Sequence, residues 1–164
     1  MGKAGTQLVK GIDVEEVVEA LDWLRSSHLV SMHWAQIVSD RLEGSALFLL
    51  KDELEEVAGE GLEAAGALGE RIAELDGEAT SDPTRLIERS LFDGFELPTS
   101  YGDPAEIMRL GLHYVRSAVG GYGELLERTR GTDELSHRLL LRLVAQQVSR
   151  EADLEGALAS GDGS

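Results

Sequence analysis

Carboxylates and imidazoles are the side chains best equipped for chemistry in this chain of 164 residues, because it has no cysteine. Without thiols there are no disulfides, no thiolate metal sites and no cysteine nucleophile. The densest acidic group is "KDELEEVAGEGLE", residues 51–63, with Asp52, Glu53, Glu55, Glu56, Glu60 and Glu63. Such acids can concentrate a hard cation at exposed, low-affinity positions, or simply solvate a helix face. Of the four histidines, His28 and His33 lie five apart, roughly 140° around a helix, so they do not converge on one ion. His113 and His137 read as ordinary helix-face residues. The thioethers of Met32 and Met108 could ligate haem, but core packing is the ordinary use of methionine.

A second feature is "LRLVAQQVSRE", residues 141–151. Leu140, Leu143, Leu154 and Ala157 have the three-and-four spacing of a buried helical seam, and continuing that seam lands on Gln147 and Arg150. A buried guanidinium without a partner is costly. Two readings follow. Arg150 is buried and paired with Glu60 or Glu63, or Gln147 and Arg150 sit at the seam's edge and reach to solvent.

Composition narrows the functions available. Hydrophobic residues make up 42% of the chain, with only three prolines and no long apolar run, which argues against a transmembrane span and against bulk disorder. The start, "MGKAGTQLVKGID", lacks the apolar stretch of a signal peptide, and a cytoplasmic location is expected. The net charge is −16, and twelve of the fifteen basic residues are arginines; the lysines are Lys3, Lys10 and Lys51. Such a surface repels nucleic acid, and the N-terminal tail holds only two lysines. It also suits a high-salt cytoplasm, where self-repulsion is screened.

Four helices must position these residues. Segment A spans Val14 to Leu42, with Asp13 as N-cap and Glu16 completing a capping-box-like start. Segment B spans Ala46 to Leu75. Segment C begins at Asp103-Pro104, an N-cap followed by proline at the first helical position. Segment D spans Asp133 to Leu158. The A–B and C–D connections are only "EGS" and "RGTD", so each pair is an antiparallel hairpin. B and C are joined by 27 residues, Gly77 to Asp103, with a short helix expected from Pro83 to Leu91. Two hairpins joined by one long crossover make an all-α, ferritin-like four-helix bundle. The expected organisation is a tail over 1–12, the bundle over 13–159 and a tail over 160–164.

The chain resembles the ferritin-like superfamily, most closely the Dps-like proteins. The stretches that carry this are "GIDVEEVVEAL", "LGERIAELDG", "RSAVGGY" and "TRGTDELSHRLLLRLVAQQVSRE". The resemblance implies self-assembly into a hollow cage and a di-iron centre inside each bundle. That centre needs a glutamate from each of two helices and a Glu-x-x-His pair from each of the other two. Bridging carboxylates are required because two adjacent iron ions carry a large positive charge in a dry site. Placed on this chain, the helix A glutamate falls on Ser27 and the helix B pair on Gly61 and Ala64. The helix C glutamate falls on Val115 and the helix D pair on Gln147 and Arg150. None of the six is a ligand. A different Dps site, shared between subunits, would use His33 and Glu70, but its aspartate falls on Gly66 and its second histidine is absent.

The expectation is therefore a ferritin-like subunit that has lost its ferroxidase centre and holds no cofactor. Its role would be structural, as a homo-oligomeric shell or a non-catalytic hetero-oligomeric partner of an active paralogue. In one alternative it stores iron through acidic surface or intersubunit sites, among them Glu60, Glu63, His33 and Glu70. In another it is a binding module on the same bundle.

Overall fold

A computed structural model of the chain describes residues 4–161. Among them there is no strand. The elements are α1 (Ala4–Gln7), α2 (Val14–Arg41), α3 (Gly44–Glu74), a 3₁₀ turn (Pro83–Arg85), α4 (Pro104–Thr129) and α5 (Glu134–Gly161). The four long helices are segments A to D, with each expected end lying within about three residues of its position; α5 departs most, running to Gly161 rather than Leu158.

Local chemistry sets the ends. Asp13 caps α2 by accepting the Glu15 N–H at 2.9 Å. Glu16, expected to close a capping box, bonds instead to Arg128 of α4 at 2.9 Å. Asp103 caps α4 through the N–H groups of Ala105 and Glu106, with Pro104 at the first helical position. Gly131 turns α4 into α5 with a φ of +75°, where a Cβ would be strained. At the end of α3, Gly77 lies so close to α2 that a Cβ there would sit 2.6 Å from Val18 Cγ1.

The hairpins α2–α3 and α4–α5 carry most of the helix contacts, as the short loops require. The crossover is stitched along α2. Thr80 bonds Asp22 through its N–H and hydroxyl, Leu91 N–H donates to Ser27 Oγ, and Trp34 Nε1 donates to the Glu96 carbonyl. The helix expected from Pro83 to Leu91 is shorter than that. Only Pro83–Arg85 is helical; further on, the Ser90 hydroxyl donates to the Ile87 carbonyl and accepts the Phe92 N–H, and the Leu91 N–H leaves the local chain to bond Ser27 of α2.

The core forms two clusters stacked along the bundle. The first draws on all four long helices, with Leu21, Leu68, Tyr122 and Leu140 at its centre. The second holds Trp34, Val38, Leu54, Ile107 and Tyr114, and takes no buried residue from α5. The segment expected as an N-terminal tail contains α1, and Lys10 N–H bonds the Thr132 carbonyl at 2.8 Å, fastening it to the α4–α5 turn. Of the C-terminal tail, residues 160 and 161 belong to α5. Residues 1–3, with Lys3, and 162–164 lie outside the described residues.

Candidate functional site

Where the two clusters meet, five of the six carried-over positions converge. Ser27, Gly61, Val115, Gln147 and Arg150 line one cavity of about 40 Å³ with His28. The sixth, Ala64, is buried in the first core cluster. The convergence follows from helical spacing, since these residues occupy the inner stripe of their helices at one level.

Four of these positions have definite surroundings. The Ser27 hydroxyl donates to the Trp23 carbonyl at 2.7 Å and accepts the Leu91 N–H at 2.8 Å. At Gly61, α2 and α3 approach so closely that a Cβ would lie 3.3 Å from the His28 carbonyl oxygen and 3.4 Å from Met32 Cβ. A glutamate at 61 would have to start from that crowded contact. Val115 presents hydrocarbon. From α5, Arg150 reaches in with its side chain only 10% exposed. Its guanidinium bonds Glu53 at 2.6 Å and Glu60 at 2.9 Å, with Glu56 at 4.0 Å. Burial works against the charged guanidinium, but Glu60 and Glu53 outweigh it and raise its pKa above the ordinary arginine value.

The pairing differs in one partner from the sequence reading. Glu53, Glu56 and Glu60 share the three-and-four stripe of α3 that faces Arg150, whereas Glu63 lies a turn further on and is exposed. His33 and Glu70 are both exposed, and the His33 ring lies beside Phe95 at 5.9 Å. Met32 and Met108 pack against the second core cluster. His113 is exposed next to the Tyr114 ring, and His137 Nδ1 lies 3.2 Å from Thr129 Oγ1. Among the described residues no group of three or more histidines and acids is placed to hold a metal ion. A hydroxyl, a glycine, an alanine, a valine, an amide and a guanidinium do not fit a di-iron centre, which needs anionic oxygen and neutral nitrogen donors.

Two buried polar groupings escaped the sequence reading. His28 Nε2 and the Tyr122 hydroxyl bond at 2.6 Å across α2 and α4. Burial lowers the His28 pKa to about 4 and raises that of Tyr122. The only signal was position, since Tyr122 lies on the seam of its helix and His28 beside Ser27. The other grouping pins the end of α3 to the α4–α5 turn. Arg71 donates to Ser136 Oγ at 2.8 Å, to Glu74 at 2.8 Å and to Asp133 Oδ1 at 2.9 Å. The side chains of Arg71 and Asp133 are 4% and 1% exposed. Asp133 also accepts the Ser136 N–H at 3.1 Å, capping α5. Arg71 is three residues past Leu68, a seam spacing that could have betrayed it.

Comparison with known proteins places this geometry. A family model described as a ferritin-like domain matches residues 16–162. A DNA protection during starvation protein of Pyrococcus furiosus is 27% identical over 150 residues, covering 90% of this chain and 80% of that protein. Among solved structures, the bacterioferritin-related dodecameric thioferritin of Bacteroides fragilis superposes with a TM-score of 0.84. It is 23% identical, with 91% of this chain and 88% of that one covered. Dps from Thermosynechococcus elongatus gives 0.82 at 20% identity, with 98% of each chain covered. At these identities the structural likeness speaks for the fold.

Proposed function

The chain belongs to the ferritin-like domain family, and we propose that it is a subunit without a ferroxidase centre whose role is to build a homo-oligomeric shell. The observation that carries this reading is Arg150. Its guanidinium sits among Glu53, Glu56 and Glu60 beside the inner cavity, a fixed positive charge at the level where the family's metal would lie. Two metal ions and a guanidinium competing for the same carboxylates repel one another. The close approach at Gly61 and the Leu91 bond to Ser27 support it from two other sides.

Assembly is supported by the surface. Phe48 is 90% and Leu49 66% exposed at the start of α3, and Leu141 and Val148 are exposed on the outer side of α5. A chain of charge −16 repels its own copies, so apolar contact must supply the attraction. The Bacteroides fragilis relative is dodecameric. A shell made only of this chain and a shell shared with a catalytic paralogue are both compatible with these faces. No described helix is long and apolar enough to cross a membrane; with the acidic surface, this favours a role apart from membranes and nucleic acid, in the cytoplasm.

A second reading has its own observation. An open cleft of about 470 Å³ between α3 and α5 is lined by Glu53, Glu56, Glu60 and Asp153, and such acids could collect iron as cargo. One pair of measurements separates the readings. Fe(II) added aerobically to the purified protein is followed by ultraviolet absorbance, and light scattering gives the particle mass. The shell reading expects oxidation no faster than in buffer and a mass many times that of one chain, with Phe48→Glu reducing it. Saturable, stoichiometric oxidation would support the storage reading, and a monomer would leave only a binding module.

A further inference from the structure

The second half of α5 lies over an apolar recess of about 50 Å³ to which all four long helices contribute. Its wall includes Trp34 from α2, Leu54 and Val57 from α3, Ile107 and Gly111 from α4, and Leu154 from α5. The polar side chains at its edge, Glu53 and Arg150, are bonded to each other at 2.6 Å. Water entering the recess would exchange its hydrogen bonds for hydrocarbon, and apolar voids of this kind stay dry. By the measure that about 10–15 Å³ admits one water, the recess of about 50 Å³ has room for about three to five water-sized atoms, enough for a diatomic molecule or one xenon atom.

We infer that this recess binds a small nonpolar molecule of the size of dioxygen. The contrast with the adjoining cavity makes the chemistry specific. That cavity shares Trp34, Val57, Gly111, Val115 and Arg150 with the recess, but it adds the polar side chains of Ser27, His28, Ser31 and Gln147, which suit water, where the recess adds Leu50, Leu54, Ile107 and Leu154. The recess exists because the second core cluster takes no buried residue from α5, and because position 111 carries no side chain. A Cβ at Gly111 would lie 3.8 Å from the Trp34 ring and 3.9 Å from Leu154 Cδ1, in ordinary contact. It would occupy space rather than collide. This inference is independent of the shell reading.

Xenon is the probe for the whole protein, with methyl resonances read by carbon–proton NMR. Saturable shifts are expected at the methyl groups of Leu54, Ile107 and Leu154, which line the recess and not the adjoining cavity, and none at Ile72 or Leu140 in the first cluster. Gly111→Ala should fold at least as well as the parent, since alanine favours the helix, and should lose the shifts. Leu154→Ala enlarges the recess and should tighten xenon binding. Dioxygen at the same site should broaden the same resonances. The inference fails if the parent shows no saturable shift, if both clusters respond alike, or if the shifts persist in Gly111→Ala. It also fails if dioxygen leaves those resonances sharp.

Discussion

The two halves of α5 are fastened to the bundle by different forces. In the first half, Leu140 and Leu143 are buried in the core cluster shared by all four helices, and Asp133 and Ser136 are locked to Arg71. Beyond Leu143, no residue of α5 is buried. That half is held by ion pairs instead: Arg150 with Glu53 and Glu60, and the exposed Arg116 with Glu151 and Glu155. Hydrocarbon burial is not weakened by charge screening, whereas ion pairs with partly exposed carboxylates are. The comparison teaches where the fold is anchored. It is held where the chain turns from α4 to α5 and is loosely covered beside the inner cavity.

The largest expected effect comes from breaking the anchor. Arg71→Met leaves Asp133 buried without its counter-ion, and its Oδ2 already lacks a hydrogen-bond partner. A loss of about 3–5 kcal/mol in denaturant unfolding is expected. A loss below about 1 kcal/mol would mean that this end is not the anchor. The hydrocarbon contrast comes next. Leu140→Ala, at a fully buried site, should cost about 2–5 kcal/mol, and Leu154→Ala, half-buried in the other half, about 1 kcal/mol. Equal costs would erase the difference between the halves.

Acid acts at the junction. His28 is buried and neutral, with its pKa lowered to about 4. The unfolded chain takes up its proton near its ordinary pKa of about 6.5, so between these values the unfolded state binds more protons and stability rises with pH. Stability is therefore fully present above about pH 6.5 and falls by on the order of 2–3 kcal/mol as the pH drops to about 4. His28→Gln should flatten that part of the profile, and an unchanged profile would remove His28 from the account. The effect that salt should tune belongs to the second half. Arg150→Met should cost about 1–2 kcal/mol at low salt and less in molar salt, because its glutamate partners are partly exposed. Hydrogen exchange should show residues after 143 losing protection as salt rises while residues 134–143 keep theirs.

Much of the fold was legible because it depends on local chemistry. Asp13, Asp103 and Pro104 mark helix starts, and short loops force hairpins. The long stretch after Gly77 permits a crossover. The site was legible in outline. Seam spacing put Gln147 and Arg150 on the buried stripe of their helix, the family resemblance grouped them with Ser27, Gly61, Ala64 and Val115, and five of the six positions do line one cavity. What stayed hidden involves partners distant along the chain. Arg71 and Asp133 are 62 residues apart and His28 and Tyr122 are 94 apart, and no local pattern links either pair. The short helix expected after Pro83 shrank for the same reason, since Ser27 competes for the Leu91 N–H.

By itself, the sequence determined that this is an all-helical bundle of two hairpins, because helical periodicity, caps and loop lengths are properties of neighbouring residues. It also set the chemical identity of Ser27, Gly61, Ala64, Val115, Gln147 and Arg150, on which the proposal of a lost metal centre rests, because identity needs no coordinates. Only the tertiary structure decided that Arg150 meets Glu53 and Glu60 rather than Glu63, that Gly61 lets α2 and α3 touch, and that α5 is anchored at one end and electrostatically tethered at the other. Those outcomes depend on how far a helix rotates and how closely its neighbour approaches. Both are set by the packing of side chains brought together from across the chain.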